Sequence, residues 1–360
     1  MQGARRIAVA VAVAMVAAAA LLFAAAFGPP AHAATDVRPF NAPTGKAYAG
    51  VSDTGDTADF DRFTRRVHKH LPIMQSFHSW GYESLPALLD RWRAAATRGM
   101  LHIQTRAGDG REVITPRQVA RGVGDGFLMR IAYAVGAANS IVYLRPFGEM
   151  NNWRNAYCAY DSNGRSKGYH YTPHTFRQAW RRIAIITRGG PNETINAKLR
   201  DLGMPEMQKD FGTEGLPYTN IALAWTPMTA GSPNTSANGP DTYWPGGKYV
   251  DWVGTDIYSK FPNFSGLNRF YRRYNNHPFA ITEWGAWGKD APGFVNRVFD
   301  WVRNHGRARM LVYYQGWTST FSIDNKPRTR AALRERLAAK RYPAFPPEFA
   351  TSNSGGTPAG

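Results

Sequence analysis

One cysteine, Cys158, in 360 residues rules out any disulfide within the chain, so stability has to come from a large core. Acid is also scarce: 26 Asp and Glu stand against 44 Lys and Arg, a formal charge of +18. Such a charge can draw a protein to nucleic acid or to an anionic surface. Here the bases are dispersed along helical stretches (Arg62, Arg65, Arg66; Arg91, Arg93; Arg177, Arg181, Arg182; Arg334, Arg336) and form no single tract. They read as solvated outer faces, with attraction to an acidic envelope in second place and no nucleic-acid partner. Several signatures are missing altogether. No GxGxxG or P-loop follows a strand pattern, and neither GxSxG nor HExxH occurs. His68, His70, His170 and His174 lack zinc-ligand context, and no activating histidine sits near Cys158. Nucleotide-dependent, serine-hydrolase, thiol and zinc chemistries are set aside, and neither metal nor cofactor is expected.

Only one apolar run has membrane length. Arg5 and Arg6 precede an Ala/Val/Leu stretch over 7–27, which Gly28-Pro29-Pro30 breaks before Ala31-His32-Ala33 offers a signal-peptidase site. Residues 1–33 therefore read as a signal peptide. At about 20 residues the run could also span a bilayer as an uncleaved anchor, the one route to membrane association. Both readings imply export, to the medium or the cell envelope.

After an N-terminal extension over 34–45, short β-branched or aromatic runs alternate with helical patterns. Strands are predicted over 47–52, 72–77, 101–105, 141–147, 220–226, 250–258, 279–284 and 309–316. Several are continuous apolar stretches, as parallel strands covered on both faces require. Helices are predicted over 57–71 (behind Asp53 and Asp56 as caps), 84–98, 115–138, 172–187, 267–274, 292–304 and 329–339, with further helix within 192–210. Eight strand–helix units in about 300 residues point to one closed (β/α)8 TIM barrel over 46–345. A doubly wound open sheet is the alternative, and the Ser/Gly/Pro/Thr-rich end of 346–360 reads as a disordered tail.

In such a barrel the working residues close the strands. The fourth run ends in Arg145-Pro146-Phe147-Gly148-Glu149 and the seventh in Thr282-Glu283-Trp284, so each brings a lone glutamate to the mouth. Either alone could be a surface residue or an arginine partner; two at matching ends suit a glycosidic bond. That bond needs an acid for the leaving oxygen and a carboxylate for the oxocarbenium ion. Trp80, Trp153, Trp225, Trp284, Trp287 and Trp317 crowd the same edge of the sequence pattern and offer faces on which sugars stack. Tyr157, Tyr160, Tyr169 and Tyr171 form either an aromatic wall of that cleft or a packed loop.

At these residues the chain resembles glycoside hydrolase family 26, best known for endo-β-1,4-mannanases within a clan of retaining barrel glycosidases. The resemblance lies in the run Leu144 to Trp153, in Trp225-Thr226-Pro227, in the run Tyr243 to Tyr258 and in the run Pro278 to Gly285. It implies Glu149 as acid/base, Glu283 as nucleophile and Tyr258 as the hydrogen-bond donor that orients Glu283. It further implies Trp317 as the platform under the reacting sugar and Trp153 in the adjacent subsite. Arg145, Asn151 and Trp225 join the expected substrate-binding set, and Asp256, two before Tyr258, is expected to brace the barrel. The implied partner is a polysaccharide, cleaved by a monomer within the chain.

One position departs from the family. Its members carry His before the acid/base, where it contacts the 2-hydroxyl of the reacting sugar; here that residue is Gly148. The 2-hydroxyl is axial in mannose and equatorial in glucose and xylose, so Gly148 bears on sugar choice more than on catalysis. His78, at the end of the second strand, is the expected substitute. Gly148 and the basic surface also motivate a rival reading, a weak or inactive barrel that binds envelope glycan without cutting it.

Overall fold

A computed structural model describes residues 38–52, 57–207, 214–316 and 318–350 of the chain. The expected signal segment, the caps Asp53 and Asp56, Trp317 and the last ten residues lie outside these. Eight parallel strands close into a barrel: β1 (Tyr48–Ser52), β2 (Ile73–Ser79), β3 (Arg98–Gln104), β4 (Val142–Pro146), β5 (Ile221–Trp225), β6 (Trp252–Tyr258), β7 (Phe279–Gly285) and β8 (Ala308–Tyr313). Each pairs with its sequence neighbours, and β8 returns to β1. All eight predicted strands are present in order.

The helices ring this barrel: α1 (Thr57–Val67), α2 (Leu85–Ala94), α3 (Pro116–Ala120), α4 (Asp125–Ala138), α5 (Pro173–Thr187), α6 (Asn192–Arg200), α7 (Phe264–Arg273), α8 (Pro292–Asn304) and α9 (Pro327–Leu337). Two expectations fail. The helix expected over 84–98 stops at Ala94, because Arg98 already begins β3. The helix expected over 115–138 is two, α3 and α4. Thr115 and Gln118 close a capping box at the start of α3. Gly122 then turns at φ +89, where a Cβ would lie 2.8 Å from the Arg182 guanidinium. That guanidinium forms a fully buried ion pair with Asp125, at the head of α4. Between β5 and β6 only 3-10 turns connect the strands.

Alternation along each strand separates two cores. Tyr48, Ile73, Met100, Tyr143, Ala222, Ala224, Trp252, Ala280, Met310 and Val312 fill the barrel interior, while their neighbours face the helices. The N-terminal segment plugs the floor. Phe40 and Ala42 join the interior core, the Phe40 carbonyl accepts from Tyr143 Oη at 2.5 Å and from Arg98 Nη1 at 3.0 Å, and Trp252 Nε1 donates to the Pro39 carbonyl at 2.7 Å. Ordered chain also continues beyond the expected boundary at residue 345. Pro347–Ala350 forms a short helical turn whose Glu348 pairs with Arg98 through both oxygens, at 2.7 and 2.9 Å. Among the described residues no helix is long and apolar enough to cross a membrane.

Candidate active site

Towards the strand C-termini the interior turns polar: Gln75, His102, Arg145, Thr226, Asp256 and Thr282 replace the apolar layers below. Arg145 organises this layer. It is wholly buried. Its Nε donates to Thr226 Oγ1 at 2.8 Å, Nη2 to Asp256 Oδ2 at 2.6 Å, and Nη1 to Glu283 Oε1. Thr282 Oγ1 holds the other oxygen of Asp256 at 2.7 Å, and Tyr258 Oη holds the other oxygen of Glu283 at 2.7 Å. So Tyr258 orients Glu283, and Asp256 braces the barrel through Arg145. Arg145 itself is spent on these contacts, which corrects its expected place among substrate-binding residues.

A bulge aims Glu283 inward. Thr255 of β6 is level with Ile281, but the next residue, Asp256, is level with Glu283; on the other side Leu311 matches Ile281 and Tyr313 matches Trp284. Strand β7 thus carries one extra residue against both neighbours. Strict alternation from Ala280 would have sent Glu283 outward with Ile281. The extra residue returns it to the mouth, and Trp284 goes to the outer core against Phe299 and Tyr313.

Glu149 is set by a different device. Phe147 and Glu149 both sit at positive φ, +55 and +51, in a turn directly after β4. Such a conformation is uncommon for residues other than glycine. Three bonds hold it here. The Glu149 N–H donates to the Thr226 carbonyl at 2.8 Å, Tyr157 Oη donates to the Gly148 carbonyl at 2.6 Å, and Asn155 Nδ2 donates to the Glu149 carbonyl at 3.0 Å. The carboxylate accepts from Asn152 Nδ2 at 2.9 Å. Burial pushes its pKa above the ordinary glutamate value, and repulsion from Glu283 pushes it further; the Asn152 amide and Arg145 offset part of this. Burial also raises Asp256, but there Arg145 is the main counterweight.

The same turn displaces the asparagine roles. Asn151 is wholly buried and clamps Met228, accepting from its N–H at 2.8 Å and donating to its carbonyl at 3.1 Å. It cannot reach a substrate; its neighbour Asn152 touches the carboxylate instead. Trp225 is a second correction. It lies on the helix-facing side of β5, fully buried among Trp244, Phe270 and Tyr274. Trp80 likewise packs on Phe127 and Phe147. Trp153 does stand at the rim, 38 % exposed. The tyrosine loop is largely packed: Tyr157 is buried under the Glu149 turn, and Tyr171 bonds Glu112 at 2.6 Å.

His78 is the last correction. It occupies the strand face opposite Gln75 and Phe77 and stacks on Tyr82 at 3.8 Å; burial, then Arg91, lowers its pKa to about 4. The histidine at the mouth is His102, on β3. Arg145 Nη1 lies 3.0 Å from its Nδ1, which makes Nδ1 the acceptor and leaves the proton on Nε2. Burial and the Arg145 charge hold this imidazole well below its ordinary pKa, so it is neutral. A Cβ on Gly148 would fall 2.7 Å from Arg145 Nη2 and 2.9 Å from His102 Cε1. The glycine leaves no vacancy, because Arg145 and His102 fill its place. An inward position on an apolar run beside Met100 was the available signal for His102. Tyr314, raised to about 12 by burial and by Glu283, completes an aromatic wall with Phe77 and Tyr258.

No family model and no curated protein matches the sequence. Solved structures do match the fold. The mannanase of Bacillus subtilis superimposes with a TM-score of 0.55 at 14 % identity, covering 87 % of this chain and 90 % of that one. A family 26 β-mannanase of Bacteroides ovatus gives 0.54 at 14 % identity over 84 % and 90 %. The family 26 domain of an endo-β-mannanase/endo-β-glucanase of Prevotella bryantii gives 0.52 at 13 % identity over 83 % and 90 %. The chain has the barrel fold of the family 26 mannanases.

Proposed function

We propose that the protein hydrolyses β-linked polysaccharide with retention of configuration, with Glu283 as nucleophile and Glu149 as acid and then base. One observation carries this reading: three carboxylates share a site with one arginine, and their surroundings divide their roles. Arg145 and Tyr258 hold Glu283 by both oxygens, which fixes its direction towards the mouth. Glu149 has no arginine hydrogen bond, and its raised pKa keeps the proton an acid catalyst must deliver. In the proposed reaction Glu283 attacks the anomeric carbon as Glu149 protonates the leaving oxygen. Glu149 then takes a proton from water, whose oxygen displaces Glu283 from the same carbon. Mannan is the favoured substrate backbone because the matching structures are mannanases, and cleavage within the chain follows the same likeness. Export is part of the proposal and rests on residues 1–33.

The test is release of reducing ends from mannan, mixed-linkage glucan, xylan and acidic envelope polysaccharide, with proton NMR of the first anomer formed. Activity with a retained anomer, lost in Glu149→Ala and Glu283→Ala, is the expected result. An inverted first product removes the nucleophile role, and silence of the wild type across the panel removes the enzyme. Sequencing the N-terminus of protein recovered from the medium tests cleavage after Ala33.

A further inference from the structure

Acidic and basic groups are used differently around the mouth. Three of the loop carboxylates are occupied: Asp161 caps the backbone of Asn163 and Arg165, Asp241 holds Arg273 and Tyr274, and Asp290 caps Thr329. Two rim cations, by contrast, have no carboxylate or carbonyl partner among the described residues, and each lies on an aromatic face. The Arg154 guanidinium is 4.8 Å above the Trp153 ring. Lys260 Nζ is 5.6 Å from the centre of Phe261 and 5.3 Å from that of Trp287.

These two pairs flank the carboxylates from different sides. Trp153 follows Asn152, the residue bonded to Glu149. Trp287 meets Tyr258 edge-on at 5.4 Å, and Tyr258 is bonded to Glu283. Trp153 and Phe261 are 38 % and 64 % exposed. An aromatic face takes the C–H side of a sugar ring, and a cation beside it takes a negative substituent of that ring.

We propose that the substrate of this site is an anionic β-linked glycan, whose negative substituents pair with Arg154 and Lys260 as its rings lie on Trp153 and the Phe261–Trp287 pair. This rests on the glycosidase reading for the direction of the cleft, and binding separates the two claims.

The probes are a β-1,4-mannuronate hexamer and the same hexamer with its carboxyls reduced, which is neutral mannohexaose. Calorimetry on full-length Glu283→Ala protein at low salt, where turnover is absent and screening weak, is expected to show the uronate binding at least about fivefold tighter, as two partly exposed ion pairs allow. Arg154→Gln with Lys260→Gln should abolish the preference. Arg65→Gln with Arg272→Gln, which removes equal charge from α1 and α7, should keep it. Equal affinity for both hexamers overturns the proposal, as does a preference that falls equally in both double variants, since that marks general attraction to a basic protein. If the wild type cleaves nothing while the preference and its loss appear as expected, the hydrolase reading fails and this one stands.

Discussion

Two arginines are buried in this barrel to the same degree, in opposite electrical surroundings. Arg98, at the floor, is 1 % exposed and meets Glu348 in a bidentate pair, with Tyr143 and the Phe40 carbonyl completing its bonds. Arg145, at the mouth, is fully buried and faces Asp256, Glu283 and, more distantly, Glu149. The floor pair is matched one to one and ties the segment at Phe40 to the one at Glu348. The mouth is over-supplied with acid, and burial with mutual repulsion raises Glu149 and Asp256 above their ordinary pKa values. That difference, more than burial, distinguishes the two arginines.

The comparison breaks most sharply in activity. On the proposed mechanism Glu149→Gln removes the general acid and is expected to lower kcat by roughly 100- to 10,000-fold, with the protein still folded by circular dichroism; Glu348→Gln should leave kcat unchanged. An equal loss in both would erase the distinction between floor and mouth.

Stability comes next. Arg145→Met leaves buried carboxyl groups without their partner, at a cost of about 3–5 kcal/mol in denaturant unfolding; Arg98→Met leaves only the part-exposed Glu348 and should cost less. Adding Glu348→Gln should recover much of the floor loss. Adding Asp256→Asn should recover less at the mouth, because Glu283 still lacks its arginine. Equal recovery at both ends would mean that the third carboxylate has no energetic weight.

A smaller effect reads the proton directly. The folded-state pKa of Glu149 lies above its unfolded value, ordinarily 4.5. Its contribution to stability is therefore complete below that value and is lost as pH rises through the folded pKa. Glu149→Gln should match the wild type in melting temperature at pH 4 and exceed it at pH 8. A gap of the same size at both pH values would place no proton on Glu149.

The smallest change is expected from Asn152→Ala. The Asn152 amide favours the charged form of Glu149, so its loss should move the alkaline limb of the kcat profile to higher pH. A downward move would reverse the assigned role.

Strand positions and the two glutamates were legible because burial on both faces writes continuous apolar runs, and a charged residue ending such a run is conspicuous. Facing was harder to read. Trp225 and Trp284 looked like cleft aromatics because alternation along a fully buried strand leaves no polar face to mark its direction. Glu283 required the extra residue in β7, and Asn152 rather than Asn151 required the left-handed turn through Phe147 and Glu149. Neither leaves a pattern in residue type. Arg145 was visible, but its partners come from β3, β6, β7 and the residue after β5, and only closure of the barrel brings them to β4.

The filled space beside Gly148 has a consequence for how this site can change over generations. Restoring a histidine there in one step would drive its Cβ against the Arg145 guanidinium and the His102 ring, both rigidly held. Position 148 is therefore coupled to both: a side chain is tolerated there only when Arg145 and His102 have both yielded. A library that varies position 148 singly is expected to find histidine among its worst members.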